Sequence, residues 1–218
     1  MDNLSYIAFL CIVIALVMML PLIERTTRRI VIFIIVGMFC CLFVSELNSI
    51  VLHYFDDDLL YVTTTFTPIM EEIVKALPIL YFAIVISDDR RTLITSAYSV
   101  GVGFALMENL IVLMQNISEV TVFWALIRGF GAGLVHGLCT VMVGYGISYV
   151  RKMRKLFRTG IYALLAAASI YHSVYNLLVQ SRYQYAGILL PICTYVPAIL
   201  MLRKSLTKSQ KTLKGAVL

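Results

Sequence analysis

Seven long apolar runs, separated by short polar segments, divide the chain. They cover residues 4–23, 30–52, 60–86, 92–116, 120–150, 157–180 and 184–202. A membrane-spanning helix needs about 20 consecutive apolar residues, whereas a spanning strand needs only about 9–11. These runs therefore predict helices, which also satisfy all their backbone hydrogen bonds within one segment. We expect an all-α fold, a polytopic transmembrane helical bundle with about seven spans.

The polar segments between the runs differ in positive charge. Four of them carry two to five lysines or arginines each: Glu24–Arg29, Ser87–Arg91, Arg151–Arg158 and the tail from Arg203. The three that alternate with them carry one basic residue in total: 53–59, 116–121 and 181–185. Basic loops stay on the cytoplasmic side of a membrane. The alternation predicts an N-terminus outside and a cytoplasmic C-terminus, as an odd number of spans requires.

Composition supports a membrane protein, since 61% of the residues are hydrophobic and only 14% are charged. We expect one integral membrane domain over residues 1–218, with the motif-bearing core at about 60–180. The net charge of +6 lies mostly in loops and tail. There it meets the lipid bilayer, so no nucleic acid is expected as a partner. The five cysteines lie in apolar segments without a CxxC motif, which indicates neither a disulfide framework nor a cysteine zinc site.

The third run carries three charged residues near its middle: Glu71, Glu72 and Lys75. Central charges cost roughly 2.5–3.5 kcal/mol each on an insertion scale, whereas each apolar residue of this run favours insertion by only about 0.3–0.6 kcal/mol. The total cost of the three charges exceeds the total gain from the apolar residues. Other helices must therefore receive these groups. Ionisable groups inside a membrane mark functional sites by default. A structural salt bridge is the plainer interpretation, but two acids beside one base leave an excess negative charge.

Further ionisable side chains lie inside the later runs: Glu108, Arg128, His136 and His172. At 1.5 Å per residue, the two histidines, Glu72 and Glu108 lie roughly 12–22 Å below the outer ends of their helices. The hydrocarbon core is about 30 Å thick, so these four groups bracket its midplane. A lone intramembrane histidine is more often a hydrogen-bonded core residue. Two histidines at the same depth as acidic residues instead favour a functional site.

Helical spacing groups these side chains further. Lys75 lies four residues after Glu71 and three after Glu72, so the three share one helix face. Paired carboxylates of this kind suit general acid–base chemistry. His172 and Asn176 are also four residues apart and share a face.

The fifth run contains two overlapping GxxxG steps, formed by Gly129, Gly133 and Gly137. Small residues at this spacing let helices approach closely in lipid. We expect this close packing to bring His136 towards the carboxylates.

In this order the motifs resemble the PrsW family of intramembrane proteases. The matching elements are Glu71-Glu72-x-x-Lys75, Phe104-x-x-x-Glu108-Asn109, His136 within a glycine-rich helix, and His172-x-x-x-Asn176. That family is similar to the group containing the type II CAAX prenyl proteases and bacterial self-immunity proteins, whose first two motifs are EExxxR and FxxxH. This chain has Lys75 one position earlier than that arginine and Glu108 in place of that histidine, so it resembles the PrsW branch.

The resemblance implies hydrolysis of a peptide bond in or near the membrane, by a multi-pass protein of a prokaryotic cell membrane. The implied partner is a single-pass membrane protein substrate. The known family role implies the first, outward-side cut (site-1 cleavage) of an anti-sigma factor. On this basis we predict the following catalytic residues: Glu71, Glu72, Lys75, Glu108, His136, His172 and Asn176.

One mechanism that these residues allow uses a water activated by glutamate. Either Glu71 or Glu72 removes a proton from the water as it attacks the scissile carbonyl. Lys75 tunes the two carboxylates, while His172 and Asn176 donate hydrogen bonds to the developing oxyanion. The sequence leaves open which of the two glutamates is the base.

The other mechanism uses a Zn²⁺ ion held by Glu108, His136 and His172, which activates the water as a Lewis acid. Since the chain has no HExxH motif, this site would assemble across helices. Two further functions also use buried carboxylates and histidines: a proton-coupled transporter or channel, and a non-catalytic membrane sensor or scaffold. The sequence leaves both metal dependence and oligomeric state open.

Overall fold

The computed structural model describes residues 3–56, 58–153 and 155–215, with side chains as far as residue 204. Every regular element within these ranges is helical. The helices are α1 (Asn3–Met19), α2 (Arg25–Tyr54), α3 (Leu59–Tyr61), α4 (Thr67–Val85), α5 (Arg90–Gln115), α6 (Val122–Val150), α7 (Phe157–Val179) and α8 (Gln184–Gly215). A 3₁₀ turn at Leu20–Leu22 follows α1, and a π-helical turn at Val62–Phe66 leads into α4. The predicted all-α class is confirmed.

By length and composition, six helices in the described part of the chain can cross a membrane. They are Asn3–Leu22, Arg25–Tyr54, Arg90–Gln115, Val122–Val150, Phe157–Val179 and Gln184–Lys204. These six correspond to six of the seven predicted runs, so the chain is a multi-pass membrane protein. The remaining run corresponds to α3, the π-helical turn and α4. α4 falls outside the set of six because it carries three charges. The orientation of the termini stays a prediction.

The charged helix α4 lies at the centre of the bundle, in contact with α2, α5, α6 and α7. Its buried residues recur at helical spacing: Thr67, Pro68, Glu71, Glu72, Lys75, Ala76, Ile79, Phe82 and Ala83. Its opposite face is apolar and exposed, with Ile69, Ile73, Leu77, Tyr81 and Ile84. All three charges therefore point into the protein while the lipid-facing side carries apolar groups, which resolves the insertion cost of the isolated helix.

Two predicted helix boundaries were wrong at the basic segments. α2 begins at Arg25, so most of the predicted loop at Glu24–Arg29 is helical. Arg28 Nη2 donates a hydrogen bond to the Ile23 carbonyl oxygen at 2.9 Å. α8 continues to Gly215, beyond the predicted end at residue 202. Long basic side chains reach polar surroundings from within a helix, so a helix need not end where the charges begin.

Close helix crossings lie mainly on α5, which packs on α2 and α6. A Cβ atom added at Gly101 of α5 would lie 2.5 Å from the backbone oxygen of His136 on α6. At Gly137 it would lie 2.9 Å from the Tyr98 ring. The predicted close packing at Gly129 and Gly133 was wrong, because a Cβ atom at either position meets nothing within 4 Å. The close approaches lie instead on the faces of α5 that meet α6 and α2, where a Cβ atom added at Gly103 would clash with the Ile34 backbone oxygen.

Candidate metal centre

α4 supplies three charged side chains, from one buried face, to a buried cluster of ionisable groups that we call the centre. Lys75 Nζ lies 2.7 Å from Glu72 Oε1 and donates a hydrogen bond to it. The same nitrogen lies 3.8 Å from Glu71 Oε2, beyond hydrogen-bond distance. Glu71, Glu72 and Lys75 are exposed by 3%, 1% and 0%, respectively. One carboxylate is thus firmly paired, and the other is held nearby without a hydrogen bond at Oε2.

α7 brings the first histidine to these carboxylates. His172 Nδ1 lies 2.9 Å from Glu72 Oε1 and 3.6 Å from Glu71 Oε2. Glu72 Oε1 therefore accepts hydrogen bonds from both Lys75 and His172. That arrangement places the proton of the neutral His172 ring on Nδ1.

α6 brings the second histidine from the other side. His136 Nδ1 lies 2.8 Å from Lys75 Nζ and 3.7 Å from Glu71 Oε2. Its ring centroid is 4.9 Å from that of His172, with the ring planes at 90°. Because a lysine ammonium only donates hydrogen bonds, His136 Nδ1 accepts one and its Nε2 carries the proton.

Glu108 of α5 contacts the far side of the His136 ring. Its Oε2 accepts a hydrogen bond from His136 Nε2 at 2.9 Å, and its Oε1 lies 3.2 Å from Arg128 Nη2. A carboxylate on the second nitrogen of an imidazole orients the ring and makes its first nitrogen a better ligand. Glu108 is held in turn by Arg128, one of the ionisable residues inside the fifth run.

Asn176 lies outside this cluster of contacts. Its Nδ2 donates a hydrogen bond to the Thr63 carbonyl oxygen at 3.0 Å, in the π-helical turn before α4. Nearby, Thr67 Oγ1 donates to Asn48 Oδ1 at 3.1 Å. π-helical turns often occur at functional sites, and this one positions the start of α4. The role of Asn176 as an oxyanion donor stays a prediction.

Sequence reasoning missed Thr63. The signal available was weak: three consecutive threonines, Thr63–Thr65, interrupt the apolar run before Glu71. Consecutive threonines do not by themselves distinguish a π-helical turn from an ordinary helical one.

Four buried side chains offer ligand atoms to a single point: Glu71, Glu72, His136 and His172. One oxygen or nitrogen from each lies within 4.8 Å of those from the other three. Two carboxylate oxygens of the group, Glu71 Oε2 and Glu72 Oε2, are buried without a hydrogen-bond partner. A buried, unsatisfied carboxylate oxygen is costly, and a divalent cation would satisfy it. Imidazole nitrogens and carboxylate oxygens are also ligands that zinc accepts. The residues present therefore fit a metal ion.

The surroundings of the centre are apolar. Ala76, Val135, Cys139, Ala168 and Tyr175 belong to one buried hydrophobic cluster and flank the site residues along α4, α6 and α7. Phe104 packs beside the His136 ring at 4.9 Å between centroids. A dry environment strengthens every electrostatic interaction within it.

A buried centre of two carboxylates and two histidines inside a membrane-spanning helical bundle has the ligand types of a metal-dependent membrane enzyme. The chain matches the model of the family described as PrsW family intramembrane metalloprotease over residues 25–202. It therefore belongs to the PrsW family of intramembrane metalloproteases and is a peptidase that acts in the membrane. The chain matches no curated protein and no solved structure. Family membership confirms the predicted resemblance and the predicted enzyme class.

Proposed function

We propose that this protein makes the site-1 cut in a single-pass anti-sigma factor of a prokaryotic plasma membrane, using the buried centre between α4, α6 and α7. The observation that supports it most is the convergence of Glu71, Glu72, His136 and His172 within 4.8 Å. Family membership supports a membrane-embedded substrate. It also favours a peptidase over the transporter and the scaffold that the same polar residues allowed.

We assign the metal to Glu72, His136 and His172. Catalytic zinc sites keep three protein ligands and leave one position for water or substrate. The Nδ1 atoms of both histidines face the α4 carboxylates, whereas Glu108 contacts Nε2 of His136. To bind the metal through Nδ1, His172 would give up the proton that it donates to Glu72 in the metal-free centre. This geometry favours Glu72 over Glu108 as the third ligand, and Glu108 then orients the His136 ring. When bound, Zn²⁺ would supply Lewis-acid polarisation of the water and of the scissile carbonyl.

Glu71 is the general base in this proposal. Glu72 accepts two hydrogen bonds at Oε1, at 2.7 and 2.9 Å, and in this proposal its unpaired Oε2 is the oxygen that would bind the metal. Glu71 Oε2 has no hydrogen-bond partner, although three nitrogen atoms lie 3.6–3.8 Å away. A free carboxylate oxygen in a dry site is able to accept the proton of an attacking water and return it to the leaving amine.

The test is cleavage by the full-length chain, purified in detergent, of a single-pass anti-sigma factor and of an unrelated single-pass reporter. Glu71→Gln keeps the size of the side chain but removes its proton-accepting charge. We expect cleavage to fall about 100-fold or more, the usual contribution of a general base. Zn²⁺ affinity should stay within about tenfold of wild type, because Glu71 is not a ligand in the proposed site.

Glu46→Gln is the matched control, since Glu46 accepts a hydrogen bond from Tyr6 and lies outside the centre. Its cleavage rate should match wild type. Equal cleavage by Glu71→Gln and wild type would refute the assigned base. Cleavage of the unrelated reporter alone would refute the anti-sigma factor substrate but keep the peptidase. Ion flux in vesicles without cleavage of either substrate would favour transport.

A further inference from the structure

Lys75 has a place in the centre that its expected tuning role does not explain. Its side chain is 0% exposed, and its ammonium lies among the ligand atoms. Nζ is 2.7 Å from Glu72 Oε1 and 2.8 Å from His136 Nδ1. Both atoms belong to ligands that the proposed metal site uses. The ammonium therefore makes contacts that a metal ion would also make.

The two cations cannot share the contact with His136. The Nδ1 atom of a neutral imidazole has one lone pair, which either accepts a hydrogen bond or binds a metal. A zinc–nitrogen bond of about 2.0–2.1 Å would also place the ion inside the space that the ammonium approaches. Because Lys75 Nζ donates to His136 Nδ1, metal binding requires this hydrogen bond to break.

In the same position the ammonium also contacts an aromatic ring, a contact that does not depend on His136. Nζ lies 4.6 Å from the centroid of the Phe104 ring, close enough for a cation–π contact. The four-carbon side chain of lysine is flexible, so its ammonium can move away from His136 without movement of α4. Without any cation, two buried carboxylates would face each other uncompensated, an arrangement of high cost.

We propose that Lys75 is the resident cation of the metal-free centre, and that a divalent metal displaces its ammonium from His136. The proposal depends on the metal site assigned under the proposed function. Lys75 would preserve the arrangement of the ligands before the metal arrives and would lower the affinity of the site for metal. It would thereby restrict occupation to metals that bind nitrogen and oxygen ligands strongly, a role separate from catalysis.

The test compares metal binding and stability in the full-length protein in detergent at one fixed pH. Wild type, Lys75→Met and Arg128→Met are stripped with a chelator and titrated with Zn²⁺ against a fluorescent competitor. Co²⁺ absorption reports the coordination, and thermal unfolding is followed with and without metal. Arg128 is the matched control: it is a neighbouring cation that pairs with Glu108 and touches no proposed ligand atom.

We expect Lys75→Met to bind Zn²⁺ about 100-fold more tightly, because removing a competing charge within 3 Å of the ligands is a large electrostatic change. Its metal-free form should unfold at a lower temperature than wild type, and Zn²⁺ should restore the difference. Arg128→Met should change the affinity by less than about tenfold. If metal-free Lys75→Met does not fold, Lys75→Gln replaces it, with the same expectation.

Three results would overturn the proposal. The first is a Zn²⁺ affinity of the Lys75 variants within about threefold of wild type or weaker. The second is a loss of stability that Zn²⁺ does not restore, which indicates an ordinary structural salt bridge. The third is the absence of Zn²⁺ and Co²⁺ binding in every variant, which would refute the assigned metal site as well. In the first two cases, cleavage that depends on Glu71 would leave the proposed function standing.

Discussion

Glu108 contacts the centre through the side chain of His136. Its carboxylate accepts the hydrogen bond of His136 Nε2 at 2.9 Å, and Arg128 holds its other oxygen. The sequence suggested Glu108 as a zinc ligand, because its depth matched that of the histidines. Depth places a residue at a level in the membrane, but the rotation of its helix decides which atom it contacts. Here it contacts the nitrogen that faces away from α4.

Substitution of Glu108 by Gln distinguishes these two roles. If Glu108 orients His136, Zn²⁺ affinity should fall by about 10–100-fold, the usual cost of losing such a partner. His172→Ala, which removes a proposed ligand, should reduce affinity far more. Zn²⁺ titration of both variants provides the measurement, with Glu119→Gln in the exposed turn after α5 as the control. Equal losses in Glu108→Gln and His172→Ala would instead make Glu108 a direct ligand.

At the scale of helices, the crossing of α5 and α6 sets where His136 lies. Gly101 allows the α5 backbone to approach the His136 carbonyl, and a Cβ atom there would lie 2.5 Å from that oxygen. Backbone atoms cannot rotate away as a side chain can. Thr140 Oγ1 donates a hydrogen bond to the same carbonyl at 2.8 Å, which further fixes this turn of α6. The position of His136 therefore depends on the absence of one methyl group on the neighbouring helix.

Gly101→Ala should separate α5 from α6 and displace His136. We expect a loss of about 1–3 kcal/mol in stability, the usual cost of overpacking, together with weaker Zn²⁺ binding. Gly129→Ala on α6 is the control, since a Cβ atom there meets nothing within 4 Å. It should be neutral or slightly stabilising, because alanine favours helices over glycine. Thermal unfolding and Zn²⁺ titration measure both effects, and equal behaviour of the two variants would contradict this account of the crossing.

For the whole molecule, six apolar spans provide an environment in which one charged helix is stable. α4 buries Glu71, Glu72 and Lys75 against α5, α6 and α7, while its lipid-facing side remains apolar. Its stability depends on these neighbours rather than on its own hydropathy. The number of crossings, and with it the side on which each terminus lies, depends on whether α4 crosses the bilayer fully.

The charge pattern of the loops predicts that α4 does cross. Reporters fused at the two termini and in the 151–158 segment should then place the N-terminus outside, and the C-terminus and that segment in the cytoplasm. A reporter in the 116–121 segment, which has no basic residue, should lie outside and serves as an internal control. Termini on the same side of the membrane would show that α4 does not cross.

The helical class, the apolar spans and most of the residues of the centre were predictable from the sequence alone. The reason is that span length and the cost of a buried charge are properties of a single segment. Glu71, Glu72, His136 and His172 were predictable because each is an ionisable group in an apolar run. Their common depth followed from the rise per residue of a helix.

How these groups contact one another depends on the packing of the helices. This packing places Glu108 on the far nitrogen of His136, Asn176 on the π-helical turn, and the Lys75 ammonium between Glu72 and His136. These contacts depend on the rotation and tilt of each helix, which packing against its neighbours sets. Spacing along one helix carries no information about its rotation relative to another.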